Sequence, residues 1–290
     1  HLWHLLMEKK KLAVKKGNEL ITASYTLTLA EQRMVLLAIA SGQKQLSSLH
    51  IVTAEQYAET YKVTRQTAYE ALQTAAAQLF ERRYSVRQSL DGGKIRHALR
   101  RWVSEVAYIE GGAHVELRFT PDVLQYLDDL KNKFTSYAIE QVASLTSTHA
   151  IRLYELLIQW RSVGKTPTFE LAMFREMLGI QPEEYKEMAN FKRRVLDVAV
   201  KQINEHTDIK AEYAQHKRGR SITGFSFSFT VKQIGRDPNT VDMLTGKTDA
   251  ETAGKPKRQK ISKSKAESMA RVGETWEELY KRLSPKYIIV

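Results

Sequence analysis

The chain contains no cysteine. That excludes disulfide staples, thiolate metal sites and a cysteine nucleophile, and leaves the redox compartment open. No apolar run approaches the roughly 18 residues that a membrane-spanning helix needs. The opening HLWHLLMEKKKLAVKK has too short an apolar stretch, with its charges after rather than before it, to act as a signal peptide. A soluble cytoplasmic protein with no membrane partner is expected. His1 to Leu6 precede Met7 and enter no argument.

Catalytic signatures are missing as well. There is no GxxxxGK[ST] to cradle a phosphate, no HExxH and no Asp-rich calcium loop. Nicking enzymes that start rolling-circle replication pair a tyrosine nucleophile with two metal-binding histidines one residue apart, and no His-x-His occurs among the 8 histidines. The 13 tyrosines are therefore read as core and interface residues. Neither an enzyme, a cofactor nor a metal site is expected.

What is abundant is positive charge. Lys and Arg number 45 against 33 Asp and Glu, a net charge of +12 with a pI near 9.6. Such a surplus suits a polyanionic partner, nucleic acid or an acidic membrane surface; the bland alternative is a solvated basic surface. At 290 residues the chain has room for two domains, each with its own core.

TLAEQRMVLLAIASG carries a capping box at Thr28 and Glu31, an apolar helix face, and Gly42 as a stop. SLHIVTAEQYAETYKVTRQTAYEALQTAAAQLFERR then packs two helices, capped at Thr53 with Gln56 and at Thr64, around the short turn Tyr61-Lys62-Val63. That spacing gives a helix-turn-helix, although any helical hairpin could produce it. Tyr57, Ala58, Tyr61 and Val63 should hold the crossing. Ala68, Ala71, Leu72, Ala75 and Leu79 should pack the second helix, which leaves Arg65, Gln66, Tyr69 and Gln73 outward. Lys62 stands where a turn glycine would be sought. The stretch from Arg82 to Thr120 alternates like strands and breaks at Asp91-Gly92-Gly93 and Gly111-Gly112, as hairpins do. Helix-turn-helix followed by hairpins is a winged helix.

Asp122 to Leu130 reads as a short helix, and FTSYAIEQVASLTSTHAIRLYELLIQWRSVG as one or two apolar-faced helices ending at Gly164. A second cycle follows: strand-like TPTFEL, the short helix LAMFREMLGI, the turn QPEEY, the helix NFKRRVLDVAVKQINEHTD, and a hairpin with the basic tip His216-Lys217-Arg218-Gly219-Arg220. As a straight helix, NFKRRVLDVAVKQINEHTD places Phe191, Val195, Val198, Ala199, Gln202 and Ile203 inside, Lys192, Arg193, Asp197 and Lys201 outside, and Arg194 at the border. Cations in a first turn oppose the helix dipole, so their presence implies a gain elsewhere. Arg paired with guanine in a major groove, with neighbouring cations on phosphates, would supply it.

The expected fold is α+β: two tandem winged helices, residues 18–132 and 133–235, with a tail at 236–290. That tail is polar, holds six cations and no acid between Lys255 and Lys265, reads as a basic linker or flexible segment, and closes with a short amphipathic helix, SMARVGETWEELYKRL.

With these motifs assembled, residues 18–232 resemble the iteron-binding plasmid replication initiators of the Rep_3 superfamily, nearest to the F-plasmid type. NELITASYTLTLAEQRMVLLAI, NKFTSYAI, HAIRLYELLIQWR, NFKRRVLDVAVKQINEHTDI and HKRGRSITGFSFSF carry the likeness. The resemblance implies binding of one direct repeat, an iteron, of double-stranded origin DNA as a monomer. It implies repression of the initiator's own gene by a homodimer on an operator inverted repeat. It also implies host partners: the replication initiator, the replicative helicase and chaperones. The strands between Tyr84 and Phe119 become the candidate dimer surface. By position it assigns base contacts to Lys192, Arg193 and Arg194; the F type has three arginines there, and Lys cannot supply the bidentate fork, so Lys192 is expected on phosphate. The remaining candidate DNA contacts are Lys201, Lys217, Arg218 and Arg220, with Arg65, Gln66 and Tyr69 in the first domain. A winged-helix transcriptional regulator without initiator activity is the alternative.

Overall fold

The computed structural model describes residues 12–42, 49–108, 112–128, 134–232, 259–261 and 287–289. Residues 1–232 form one compact unit and 233–290 a second. The first unit contains two winged helices in tandem, an α+β architecture.

Strand β1 (Ala13–Gly17) and the short helix α1 (Asn18–Thr22) precede α2 (Leu29–Gly42). The capping box forms as expected. Thr28 N–H donates to Glu31 Oε2 at 2.6 Å and Glu31 N–H to Thr28 Oγ1 at 3.3 Å, a device worth about 1 kcal/mol. Met34 to Ala40 are all buried. A helix apolar on nearly every side belongs in the centre of its domain. Strand β2 (Leu49–Thr53) leads into α3 (Ala54–Tyr61) and α4 (Arg65–Leu79), capped by Thr53 with Gln56 and by Thr64 as the sequence indicated. Lys62, between these helices, adopts φ 55°, the left-handed conformation usually left to glycine. The hairpin β3 (Arg83–Ser89) and β4 (Ile95–Arg101) follows, then β5 (Val103–Tyr108) and β6 (His114–Phe119). The wing sheet runs β2-β6-β5, and β3-β4 stands as a sheet of its own. Trp102, between β4 and β5, is fully buried edge-on to Tyr25 at 4.9 Å and beside Tyr84 at 5.2 Å.

Helix α5 (Pro121–Asp128) is followed by strand β7 (Phe134–Ala138), which pairs antiparallel with β1. The helical reading of FTSYA was wrong, because a distant partner strand supplies its hydrogen bonds. Helix α6 (Glu140–Ala143) comes next. Helix α7 (Thr148–Ile158) follows, and the second cycle is then β8 (Phe169–Glu170), α8 (Leu171–Met177), α9 (Met188–Phe191), a π-turn (Lys192–Leu196), α10 (Asp197–His206), β9 (Ile209–Arg218) and β10 (Ser221–Val231). Its sheet order, β8-β10-β9, repeats the first-last-middle order of the first domain. In GFSFSF the period of two buries Phe225, Phe227 and Phe229, with Phe225 against Phe174 and Phe191 and Phe227 against Phe174. A Cβ on Gly224 would lie 2.3 Å from the Phe169 carbonyl oxygen, so only glycine lets β8 approach β10.

The two cycles share a charged junction. Lys16 on β1 donates to Glu155 Oε1 on α7 at 2.7 Å, and the Tyr137 hydroxyl of β7 donates to the same oxygen at 2.6 Å. Arg152, one turn earlier, donates to Met177 O at 2.9 Å, to Ala23 O at 2.7 Å and to the Tyr25 hydroxyl. Lys16, Arg152 and Glu155 are no more than 2 % exposed. Burial opposes ionisation of Glu155, but Lys16 and Arg152 outweigh it and hold the carboxyl below its ordinary range. Thr26 Oγ1 donates to Gly179 O at 2.8 Å beside this cluster.

In the second unit, β11 (Gln259–Ile261) pairs parallel with β12 (Tyr287–Ile289). The amphipathic stretch 268–283 and the division at 132/133 lie outside the described residues.

Candidate nucleic-acid interface

The helix carrying the basic triplet starts at Met188, earlier than its sequence suggested, after Glu187 at the N-cap. Lys192, Arg193 and Arg194 therefore sit in the second turn, and the dipole cost attached to a first turn does not apply. They lie in the π-turn, closed by Asp197 N–H donating to Lys192 O, five residues back. A π-turn inserts one residue and rotates everything after it by about 100°. Leu196 is consequently buried with Phe191, Val195, Ala199 and Ile203, while Val198 is 37 % exposed and Gln202 only half-buried. The straight-helix assignment of Val198 and Gln202 to the inner stripe is corrected for that reason. Gln202 instead caps the start of α7, accepting from Thr146 N–H at 3.0 Å and Ser147 N–H at 3.1 Å.

Arg193 and Arg194 are exposed. Arg193 Nη2 donates to Asn190 Oδ1 at 3.2 Å, which orients the guanidinium along the helix. The Arg194 side chain bonds no other described residue. Lys192 is half-buried, and its Nζ donates to Gln215 Oε1 on β9 at 3.1 Å. Lys201 is exposed, 3.9 Å from Glu205 one turn on. At the wing tip Gly219 takes φ 62°, and Lys217, Arg218 and Arg220 are exposed.

Wing and helix are joined at three levels. Besides Lys192–Gln215, the Tyr213 hydroxyl donates to Asp197 Oδ1 at 2.8 Å. Asn204 donates to Ala211 O at 2.9 Å and accepts from Ala211 N–H at 2.6 Å. Burial, then the hydrogen bond and charge of Asp197, push the Tyr213 phenol up to about 12, so it remains a donor at neutral pH. Arg175 on α8 donates to Tyr185 O at 3.0 Å and to Glu184 O, with its guanidinium 5.2 Å from the Phe191 ring. It fixes the turn in which Tyr185 takes φ 44° and from which the helix departs. Arg175, Asn204 and Tyr213 were missed from sequence; a basic residue on the short helix preceding a recognition helix was the available signal for Arg175.

In the first domain, Arg65 and Gln66 are exposed at the start of α4, with Gln66 Nε2 donating to Glu70 Oε1 at 2.7 Å. Tyr69 is not fully outward. It is half-buried against the core, lining a small pocket with Leu72, Gln73, Tyr108 and Val115. The wing strands cover it, a contact that helical periodicity alone does not reveal.

Among the described residues no group of three or more His, Cys, Asp or Glu is placed to hold a metal ion. No helix there is long and apolar enough to cross a membrane.

Residues 13–158 match the family model described as "Initiator Replication protein, WH1", and residues 170–229 match "Initiator Rep protein, WH2". The chain belongs to this family of initiator replication proteins. A relative described as an uncharacterized 27.6 kDa protein of Escherichia coli is 30% identical over 237 residues, 77% of this chain and 96% of the relative. A replication initiation protein of Escherichia coli is 28% identical over 220 residues, 72% of this chain and 67% of that protein. Among solved structures, the Pi initiator protein in complex with iteron DNA is similar with a TM-score of 0.61 at 23% identity, covering 77% of this chain and 99% of that one. The tandem arrangement is thus a property of the family fold, the first match running through the end of α7.

Proposed function

We propose that this chain initiates plasmid replication by binding iterons at the origin as a monomer, and represses its own gene as a dimer on an inverted repeat. The observation that supports it best is the second winged helix: two solvent-facing arginines on its recognition helix and three cations on its wing tip, joined rigidly to each other, in a chain of the initiator family. In this reading Arg193 and Arg194 contact bases, while Lys201, Lys217, Arg218 and Arg220 neutralise phosphates. Lys192, held by Gln215, orders the wing and reaches phosphate at most. Residues 133–235 carry the main recognition, and 18–132 add Arg65 and Gln66 and the dimer surface between Tyr84 and Phe119.

Two recognition helices in successive major grooves would lie about 34 Å apart and cover about 20 bp. Several copies on tandem repeats would bend and strain adjoining AT-rich duplex, which the host initiator and helicase then enter, with chaperones as further host partners. No catalytic step is required of this chain. The test is a gel-shift titration with DNA flanking its own gene. Tight binding to tandem direct repeats beside AT-rich DNA, with permanganate-reactive thymines on opening, supports initiation. Binding to a palindrome alone would favour a transcriptional regulator.

A further inference from the structure

We infer that Val198 reads the methyl group of a thymine in the major groove, and that the π-turn is what delivers it there. In an uninterrupted α-helix Val198 would lie on the stripe of Phe191 and Val195 and be buried. The π-turn Lys192–Leu196 moves Leu196 into that place and turns Val198 outward to 37 % exposure.

Its new neighbours are cationic. Val198 follows Arg194 by four residues and precedes Lys201 by three, spacings that stack side chains on one helical face, and both flanking side chains are exposed. A branched apolar side chain between two phosphate-seeking or base-seeking cations has few uses in water. In a major groove its counterpart is the C5-methyl of thymine, the one apolar group on a base edge there. Asp197, the preceding residue, is turned towards the wing by the Tyr213 hydroxyl at 2.8 Å, so its carboxylate does not stand between Val198 and the groove. A β-branched residue also has few rotamers to lose on contact. The inference rests on the proposed DNA-binding reading and adds a base identity to it: thymine within the half-site faced by the second domain.

The experiment replaces single thymines of a bound repeat by uracil, which removes only the methyl group, and measures the affinity of the full chain and of Val198→Ala. For the unaltered chain, one or two substitutions in the half-site of the second domain should weaken binding about fourfold, the worth of one buried methyl group. Val198→Ala should bind the all-thymine repeat about fourfold more weakly and be indifferent to those same uracils. Arg194→Ala, a control for general weakening, should retain the sensitivity to uracil. Circular dichroism of Val198→Ala should match the unaltered chain, because the side chain is not in the core. Uracil sensitivity that persists in Val198→Ala, or none in the unaltered chain while binding stays sequence-specific, would overturn the inference. Absence of any sequence-specific binding would overturn the reading beneath it, and the inference with it.

Discussion

Replacing either partner of the buried Lys16–Glu155 pair should destabilise the fold, and by unequal amounts. The cluster holds two cations, Lys16 and Arg152, and one anion, Glu155, all nearly excluded from water. Lys16→Met removes the 2.7 Å charged hydrogen bond but leaves Glu155 with Arg152 Nη1 at 3.6 Å and the Tyr137 hydroxyl at 2.6 Å. The remaining pair is neutral overall, and the expected loss is that of one hydrogen bond to a charged group, about 1.5–3 kcal/mol. Glu155→Gln keeps the shape but strands two buried cations beside each other, for which about 3–5 kcal/mol is expected. Urea unfolding followed by circular dichroism and by the fluorescence of the buried Trp102 measures both. The double variant should cost less than the two single losses added, since its partners couple. The pH dependence has a definite sign. A carboxyl held below its ordinary value of 4.5 contributes fully above that value and loses the contribution as pH falls through its lower folded value. Glu155→Gln should therefore lack part of the acid destabilisation seen in the unaltered chain. A Lys16→Met loss equal to or greater than that of Glu155→Gln would refute this charge accounting.

Arg193→Ala or Arg194→Ala should weaken iteron binding by about 1–3 kcal/mol and relax specificity, whereas Lys217→Ala or Arg218→Ala should weaken all DNA alike and lower the salt slope by about one; equal losses of Arg193→Ala on specific and random DNA would remove its base-reading role. Lys62→Gly should raise stability by up to about 1 kcal/mol in thermal unfolding, because glycine occupies the left-handed region without the Cβ penalty. His149 has its ring Nδ1 at 3.0 Å from Leu178 O, and burial, opposed by that hydrogen bond and by Glu184, lowers its pKa from 6.5. The folded state thus resists protonating it, and stability should fall as pH drops below about 6.5. That component should vanish in His149→Gln, as comparison of urea midpoints across pH would show.

Much of the fold was legible because its signals are local. Thr28 with Glu31, Thr53 with Gln56, and Thr64 all cap the helices their spacing announced, and GFSFSF alternates as a half-buried strand must. What sequence did not convey is pairing at a distance. Phe134–Ala138 reads as helix until β1, some 120 residues earlier in the chain, supplies a partner, and β2 was overlooked because its edge position depends on β6. At the interface, the exposure of Arg193, Arg194 and the wing cations was foreseen from charge and periodicity. The phase of the helix beyond them was not, because no residue in KRRVL marks a π-turn. Its placement follows from packing: only with the extra residue does Leu196 join Phe191, Val195, Ala199 and Ile203 in the buried stripe while Val198 leaves it.

Hydroxyl-radical footprinting of the full chain on a single isolated repeat tests the central claim most directly, two winged helices docked in tandem on one iteron. Protection should extend over about 20 bp, with two protected stretches one helical turn apart on the same face of the duplex. Arg193→Ala should erase the stretch faced by the second domain first. Protection confined to one helical turn, or spread without preference along the fragment, would contradict the account.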